Sequence, residues 1–282
     1  MCDFPITNSF TFPIHWLFLL VAMASCNLED SRRLQINQAY EGDEIYLISK
    51  ALDEPLHLAF KGLMWFQNQA FTDTLPGCPT ITIVENDNEV HHEVQLNYST
   101  PICKGPSNQK GLITLHFSSS QLTQMDSIHL TFEDYQSGAF TLNGDRIFTL
   151  IDSTIQRATY SEQSENLLIM DQHQSSSRVG ISFFHEITHS EAQGRTITST
   201  GSLEGRNWAG NNLSMEIETA KVLTATCMNQ GIFRPVEGRE SWTVYRTDGV
   251  NVNHRLRFVS TADCTTKTIL LLDEGVQIEK SP

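Results

Sequence analysis

The sequence predicts a mainly β protein: an extended antiparallel sheet or a sandwich of hairpins, preceded by a short helical element. Alternation of apolar and polar residues with a period of two begins near Cys78 and recurs almost to the C-terminus, which is the pattern of half-buried strands. Turn residues such as Asn143–Gly144 separate the alternating runs and favour hairpins. Charged residues make up only 18% of the chain, a balance that suits exposed antiparallel sheet better than helices.

The N-terminus carries a short apolar run that begins at Trp16 and ends in the small residues Ala24 and Ser25, followed by Cys26. A run of about ten apolar residues suits the core of a signal peptide and is too short to span a bilayer. The small residues followed by a cysteine resemble the site at which bacterial lipoproteins are cut and acylated. We therefore expect residues 1–25 to be a lipoprotein signal peptide and Cys26 to carry lipid. A plain secretory signal with an incidental cysteine is the alternative.

Residues 26–70 are predicted to form a tether followed by short helices. Loose 3.6-residue spacing of apolar side chains over 41–70 favours helix. Pro55 is expected to separate two short helices, because proline removes a backbone donor inside a helix. Trp65 and Phe66 would dock these helices on the sheet.

Residues 71–282 are predicted to form the antiparallel β domain, and two modules over 71–150 and 178–282 are left open. A polar stretch over 161–177 predicts a long loop between the two halves. The alternating runs predicted as strands are 80–84, 94–98, 112–117, 128–132, 140–142, 179–188, 195–200, 212–219, 240–246, 254–259 and 267–272.

Four cysteines remain once the signal peptide is removed and the lipid-bearing cysteine is set aside. An even number of cysteines in an exported chain favours disulfides. Of the three possible connectivities we favour the one in which each pair brackets a similar stretch of strand-like sequence; free buried thiols are the alternative. No pair has the short spacing of a structural zinc site. The expected disulfides are Cys78–Cys103 and Cys227–Cys264.

Several short motifs of the β region share a pattern with a known group of proteins. The motifs are 78–83, 103–115, 128–135, 142–144 and 226–238 with Cys264. Over roughly residues 76–280 the chain resembles uncharacterised surface lipoproteins of Bacteroidota (Flavobacteria/Cytophaga type), a β-rich family with paired-cysteine modules. The family's Phe-Gly pair is replaced here, with Ser99 and Val259 at the glycine positions. The resemblance implies an antiparallel β architecture on the cell surface or in the periplasm, and it implies no activity.

One motif suggests catalysis: His185-Glu186-Ile187-Thr188-His189 matches the HExxH pattern of zinc peptidases. That chemistry needs a helix, on which two histidines four residues apart bind one zinc and the glutamate acts on the bound water. The flanking residues are β-branched and aromatic with a period of two, so we predict a strand that binds no zinc. The alternative is a zinc metallopeptidase that uses His185, Glu186 and His189.

The remaining signals favour binding over catalysis. The formal net charge of −14 would repel phosphate backbones, so nucleic-acid binding is not expected. Trp65, Trp208 and Trp242 would suit a glycan platform if exposed together, although tryptophans in β proteins are usually buried. We expect a lipid-anchored protein of the bacterial outer membrane, periplasmic or surface-exposed, with a structural or binding role and no cofactor. Its membrane partner is bound through the N-terminal lipid; any protein or glycan partner is unknown.

Overall fold

The computed structural model describes residues 38–68, 75–85, 91–101, 108–118, 126–190, 194–246, 249–261 and 263–280. The predicted signal peptide, the lipidation site Cys26 and most of the predicted tether lie outside the described residues. Residues 38–41 belong to an N-terminal unit, and residues 42–282 form a second, larger unit. No described helix combines the length and the apolar character needed to cross a membrane.

The fold is mainly β, as predicted, and its strands form a single antiparallel sheet rather than a sandwich. Each strand pairs with the next strand along the chain, so the sheet is an uninterrupted series of hairpins. Strands from both of the proposed modules belong to this one sheet. The strands are β1 Thr80–Glu85, β2 His91–Asn97, β3 Gln109–Ser118, β4 Ser127–Ser137, β5 Phe140–Ser153, β6 Arg157–Asp171, β7 Ser176–Ser190, β8 Gly194–Arg206, β9 Asn212–Thr224, β10 Glu237–Tyr245, β11 Asn251–Ser260, β12 Thr266–Leu271 and β13 Gln277–Lys280.

Helical residues precede the sheet. The first helix, α1, covers residues 38–53 and is followed after Pro55 by two short helices, α2 Leu56–Ala59 and α3 Leu63–Phe66. A further short helix, α4 Ala225–Met228, connects β9 to β10. The break at Pro55 lies where the sequence predicts it, but α1 is longer than a short element, and its described residues 38–40 fall in the predicted tether.

The inner face of the sheet contacts α1, from residue 42 onward, and α2. Strands from both halves of the sheet take part: Arg146 on β5 donates to the Leu52 carbonyl, and Ser49 donates to Glu240 on β10. Lys280 on β13 donates to Asp43. Ile48 and Leu52 are fully buried, as is Ser49 of the same helix, so α1 buries polar as well as apolar side chains. Register shifts in six of the strand pairs, from β3/β4 to β9/β10, mark bulges, and bulges increase the local bend of a sheet.

A glycine marks one of these bulges. Gly201 on β8 has a φ of +122°, and a Cβ atom there would lie 2.3 Å from the Ser182 carbonyl oxygen of β7. Only glycine tolerates both the backbone conformation and this approach. The bulge therefore depends on this residue.

The predicted loop over 161–177 is wrong. Most of this stretch is β6, and the turn to β7 covers only residues 172–175. The sequence pattern concealed the strand because polar residues occupy its inward positions: Glu162 and Ser164 are both buried. Alternation of apolar and polar residues is therefore lost in the first half of this strand.

One of the two expected disulfides is present. Cys227 of α4 and Cys264, between β11 and β12, are bonded with a Cα–Cα distance of 5.4 Å, within the usual range. Cys103 lies outside the described residues. The Cys78–Cys103 pair therefore stays a prediction.

Candidate functional site

The HExxH segment lies within β7 and not in a helix, which confirms the predicted strand. The His185 side chain is 1% exposed and lies on the inner face of the sheet beside Phe60, whereas Glu186 is 45% exposed on the opposite face, where it pairs with Arg157. Residues four apart in a strand lie about 13 Å from each other along the chain. His185 and His189 therefore cannot converge on one ion as helical histidines do, and Glu186 points away from His185.

His185 belongs instead to a cluster of polar side chains on the inner face. Its Nε2 lies 2.6 Å from Glu162 Oε2, and its Nδ1 lies 2.8 Å from the Ser199 hydroxyl. Glu162 also accepts two hydrogen bonds from Arg146, at 2.6 Å to Nε and 2.9 Å to the second terminal nitrogen. The remaining terminal nitrogen of Arg146 donates to the Leu52 carbonyl at 2.7 Å.

The charges in this cluster are set by burial and by the fixed arginine. Burial alone would raise the pKa of Glu162, but the charge of Arg146 and the hydrogen bonds from His185 and Arg146 outweigh it and lower the pKa to about 2. Burial is the largest influence on His185 and lowers its pKa. The ring is therefore neutral at pH 7, with Nε2–H donating to Glu162 and Nδ1 accepting from Ser199.

A second set of charges lies on the next two strands, β9 and β10. Lys221 on β9 donates to Glu240 at 2.7 Å and also to Asp53 at the end of α1. Glu240 further accepts from Ser49 at 2.8 Å and from the Trp242 indole at 2.9 Å. Together the two sets form a buried network: Ser49, Asp53, Arg146, Glu162, His185, Ser199, Lys221, Glu240 and Trp242.

Opposing effects decide the ionisation of this second set. Burial raises the pKa of Asp53 to about 6, although Lys221 acts against the shift. Burial lowers the pKa of Lys221, but Asp53 and Glu240 outweigh it, so the pKa is raised and the ammonium stays charged. The lysine thus balances two carboxylates that surround it.

The buried network holds α1 in position on the sheet. His185, Ser199 and Lys221 are directly paired across β7, β8 and β9. Arg146 and Lys221 each contact the last turn of α1, at Leu52 and Asp53. Cations at this position stabilise a helix, because they interact with the negative end of its dipole and with its free carbonyls. The side chains of both ion-paired sets are at most 6% exposed, so a substrate has no access to them.

The accessible site lies elsewhere, at the end of the sheet near the residues that follow α2. A cavity of about 330 Å³ opens there between residues 59–62 and the ends of β4 to β8. We call it the end cavity. Its apolar wall consists of Phe60, Ile128, Leu150, Ile155, Ala158 and Ile187, and its polar lining includes Lys61, Arg157, Tyr160, His189 and Arg195.

Hydrogen bonds fix part of the polar lining. Arg195 donates to the Phe60 carbonyl, and its Nε donates to His189 Nε2 at 3.3 Å. Burial and the charge of Arg195 lower the pKa of His189, which fits a neutral ring that accepts this bond. The Lys61 ammonium lies 4.2 Å from the centre of the Trp65 ring, within the range of a cation–π contact. The second histidine of the HExxH motif thus lines the end cavity and is not part of the buried network.

Comparison with protein-family models, curated proteins and solved structures gives no significant match.

The tryptophans do not form the platform that a glycan site would need. Trp242 is 0% exposed and bonds to Glu240, so it cannot stack on a ligand. Two other aromatic side chains, Phe184 and Tyr245, are exposed on the outer face. Through β9 and β8 the register places Tyr245 level with Arg178 on β7. Phe184 lies six residues from Arg178, which is about 20 Å along the strand.

The sequence pattern did not reveal the charged members of the buried network. Glu162 falls in the predicted loop, Arg146 and Lys221 fall outside the predicted strands, and Glu240 alone falls inside one. The sequence does contain one indication of them, a charged residue that shares a strand face with buried apolar residues. Glu240 is an even number of positions from Trp242 and Val244, which are buried, and therefore points to the same side of the sheet. The end cavity left no signal, since its residues come from helix ends and five different strands.

We expect the HExxH segment to bind no zinc. Purified protein should contain far less than one zinc per chain by elemental analysis, because Glu186 and His185 face opposite sides of the sheet. The His185→Gln variant should lose about 1–3 kcal/mol of unfolding free energy through its altered hydrogen bonds. One tightly bound zinc per chain that disappears in the His185→Gln variant would contradict this assignment and support the peptidase.

Proposed function

We propose that this chain is an exported, lipid-anchored protein of the bacterial envelope whose sheet-and-helix unit has a binding role and no catalytic one. The observation that carries the proposal is that its ionisable residues fall into two groups, one buried and structural and the other accessible. Those that suggested chemistry, above all His185 and its glutamate partner, are used to hold α1 on the sheet. Those that line an accessible space, Lys61 and Arg195, are positively charged groups suited to binding.

The site for this binding role is the end cavity. Ligand sites are usually concave and largely apolar, with a few polar groups that fix orientation. The end cavity has this character, whereas the buried network is closed to solvent. The anchoring part of the proposal is supported by the pattern Ala24-Ser25-Cys26 and by the resemblance to surface lipoproteins.

The two alternatives have less support. A zinc peptidase would need His185, Glu186 and His189 to converge, and the strand geometry separates them. A glycan module would need neighbouring exposed aromatic side chains, and Phe184 and Tyr245, which are exposed on the outer face of the described sheet, are widely separated.

Acylation at Cys26 is the decisive test of anchoring. Expressed in a bacterial host with lipoprotein processing, the wild-type protein should partition into detergent and incorporate labelled fatty acid. The Cys26→Ser variant should lose the label and become soluble or remain unprocessed. Cys2→Ser is the matched control, since that residue would leave with the signal peptide, and it should behave as wild type. An unmodified wild-type N-terminus would refute the lipid anchor.

A further inference from the structure

The end cavity concentrates positive charge in a protein that is strongly acidic. The chain has a formal net charge of −14, yet the lining of the cavity contains two arginines and a lysine and no aspartate or glutamate. Arg157 is neutralised outside the cavity by Asp152, at 3.1 Å, and by Glu186, at 3.7 Å. The other two cations, Lys61 and Arg195, are not neutralised in this way.

Lys61 and Arg195 form an uncompensated pair. Both side chains are partly buried, and neither forms an ion pair with a carboxylate within the described part of the chain. Burial, and then the charge of Arg195, lower the pKa of Lys61. Two like charges that are partly removed from water are unfavourable unless an anion joins them. An acidic group bound between them would offset this cost.

The rest of the cavity is apolar. Ile128, Leu150 and Ile187 belong to the apolar wall, and Ile155 in the β5–β6 turn is fully exposed at its edge. A volume of about 330 Å³ is at the small end of the range for ligand pockets. A small inorganic anion would leave this wall uncovered, whereas a hydrocarbon chain would cover it.

We propose that the end cavity binds a single-chain anionic amphiphile, such as a fatty acid or a monoalkyl phosphate. The acidic head group lies between Lys61 and Arg195, and the hydrocarbon chain packs on the apolar wall. The inference rests on the proposed binding role and adds the class of ligand. It does not depend on acylation of Cys26, which is tested separately.

Titration calorimetry on the full chain, kept in solution by Cys26→Ser, tests the proposal. Each ionic amphiphile is used below its critical micelle concentration, and 1-dodecanol is used below its solubility limit. Dodecanoate or dodecyl phosphate should bind with one molecule per chain, and shortening dodecanoate to decanoate should weaken binding roughly tenfold. Inorganic phosphate, 1-dodecanol and dodecyltrimethylammonium should each bind at least tenfold more weakly than the best anionic amphiphile. The relative affinities of dodecanoate and dodecyl phosphate then distinguish a carboxylate from a phosphate head group.

Variants assign the binding to the end cavity. Lys61→Gln should weaken binding of the anionic amphiphile roughly 10- to 100-fold, and Lys61→Arg should restore most of it. Ile155→Ser should weaken dodecanoate binding without changing the response to inorganic phosphate. Lys267→Gln removes an exposed lysine that is paired with Glu279 at 2.8 Å and is the charge-matched control. Because Arg195 supports the backbone at Phe60, Arg195→Gln is interpreted only where its near-UV circular dichroism matches that of wild type.

Four results would overturn the proposal. Equal affinity for the anionic, neutral and cationic twelve-carbon probes would show unspecific hydrophobic binding. If inorganic phosphate binds as tightly as dodecyl phosphate, the cavity is an anion site with a binding role, but the hydrocarbon chain does not contribute to binding. An affinity unchanged in both Lys61→Gln and Ile155→Ser would place the ligand outside the end cavity. If no probe binds while Cys26 proves acylated, the ligand class is refuted and the envelope location stands.

Discussion

The Arg146→Met variant should lose about 3–5 kcal/mol of unfolding free energy, because it leaves the Glu162 carboxylate buried without its cation. Arg146 and Glu162 are 1% and 0% exposed and bonded at 2.6 Å. The change also removes the donor to the Leu52 carbonyl at the end of α1. Since a domain of this kind is stabilised by only about 5–15 kcal/mol, the variant should be close to unfolding at 37 °C. Urea denaturation at pH 7 measures the loss.

Two companion variants separate the charge effect from lost packing. Arg146→Met combined with Glu162→Gln should recover at least half of the loss, because the neutral amide needs no counter-charge and can still bond to His185. Arg239→Met removes an exposed arginine that lies 3.9 Å from Glu218, and it should change stability by less than about 1 kcal/mol. The loss of unfolding free energy in the Arg146→Met variant should also become smaller at lower pH, because Glu162 then takes up a proton and loses its charge. A loss no larger than that of Arg239→Met would show that the buried network does not hold the helix.

His57 should make the protein sensitive to mild acid. This histidine of α2 is buried, stacks on Phe233 with ring centres 3.7 Å apart, and donates from Nδ1 to the Glu54 carbonyl at 2.7 Å. Burial is the main cause that lowers its pKa to about 3 in the folded protein. The unfolded chain has an ordinary histidine pKa near 6.5 and therefore binds the proton first as the pH falls. Stability is full above about pH 6.5 and is lost progressively down to about pH 3.

The His57→Phe variant isolates this effect and keeps the ring stacking. Between pH 7 and 4.5 the wild type should lose about 2–3 kcal/mol more than the variant, at 1.36 kcal/mol per pH unit. Asp53 acts in the opposite direction, because its pKa in the folded protein is raised to about 6. Its protonation increases the stability of the protein as the pH falls from about 6 to 3.8. It is present in both proteins, so it cancels in the difference. Urea denaturation at both pH values gives this difference, and the exposed His173→Gln serves as control. Parallel pH profiles for wild type and His57→Phe would contradict the assignment.

The sequence predicts the strands well where most inward positions are apolar and fails in β6, where two successive inward positions are polar. The runs around Leu130 and Phe183 alternate cleanly, and both lie in strands. In β6 the inward positions include Glu162 and Ser164, and the stretch was interpreted as a loop. A charged residue is buried only when a partner from another element neutralises it, and here that partner, Arg146, comes from the neighbouring strand β5. Local pattern cannot reveal a pairing that the fold creates.

The candidate site was less predictable than the fold for the same reason. The sequence motif at His185 is real as a pattern, but its chemistry depends on whether the backbone is helical, and the flanking Val179, Ile181 and Phe183 correctly indicated a strand. The end cavity could not be foreseen from either motif or periodicity. Lys61 and Arg195, which are 134 residues apart in the chain, meet there only because the segment that follows α2 lies beside the start of β8.

The arrangement of helix and sheet also imposes an order on folding. All hairpins of the sheet are local and can form one after another as the chain is synthesised, which favours rapid pairing. The contacts of α1, in contrast, join residues that are far apart in the sequence. Ser49 bonds to Glu240 across 191 residues, and Asp43 contacts Lys280 across 237. The ribosome synthesises α1 first and the last strands that contact it at the very end. The apolar surface of α1 therefore stays partly exposed until β10 to β13 have been synthesised. A chain that stops before β10 would expose this surface permanently, and aggregation or proteolysis would be its expected fate.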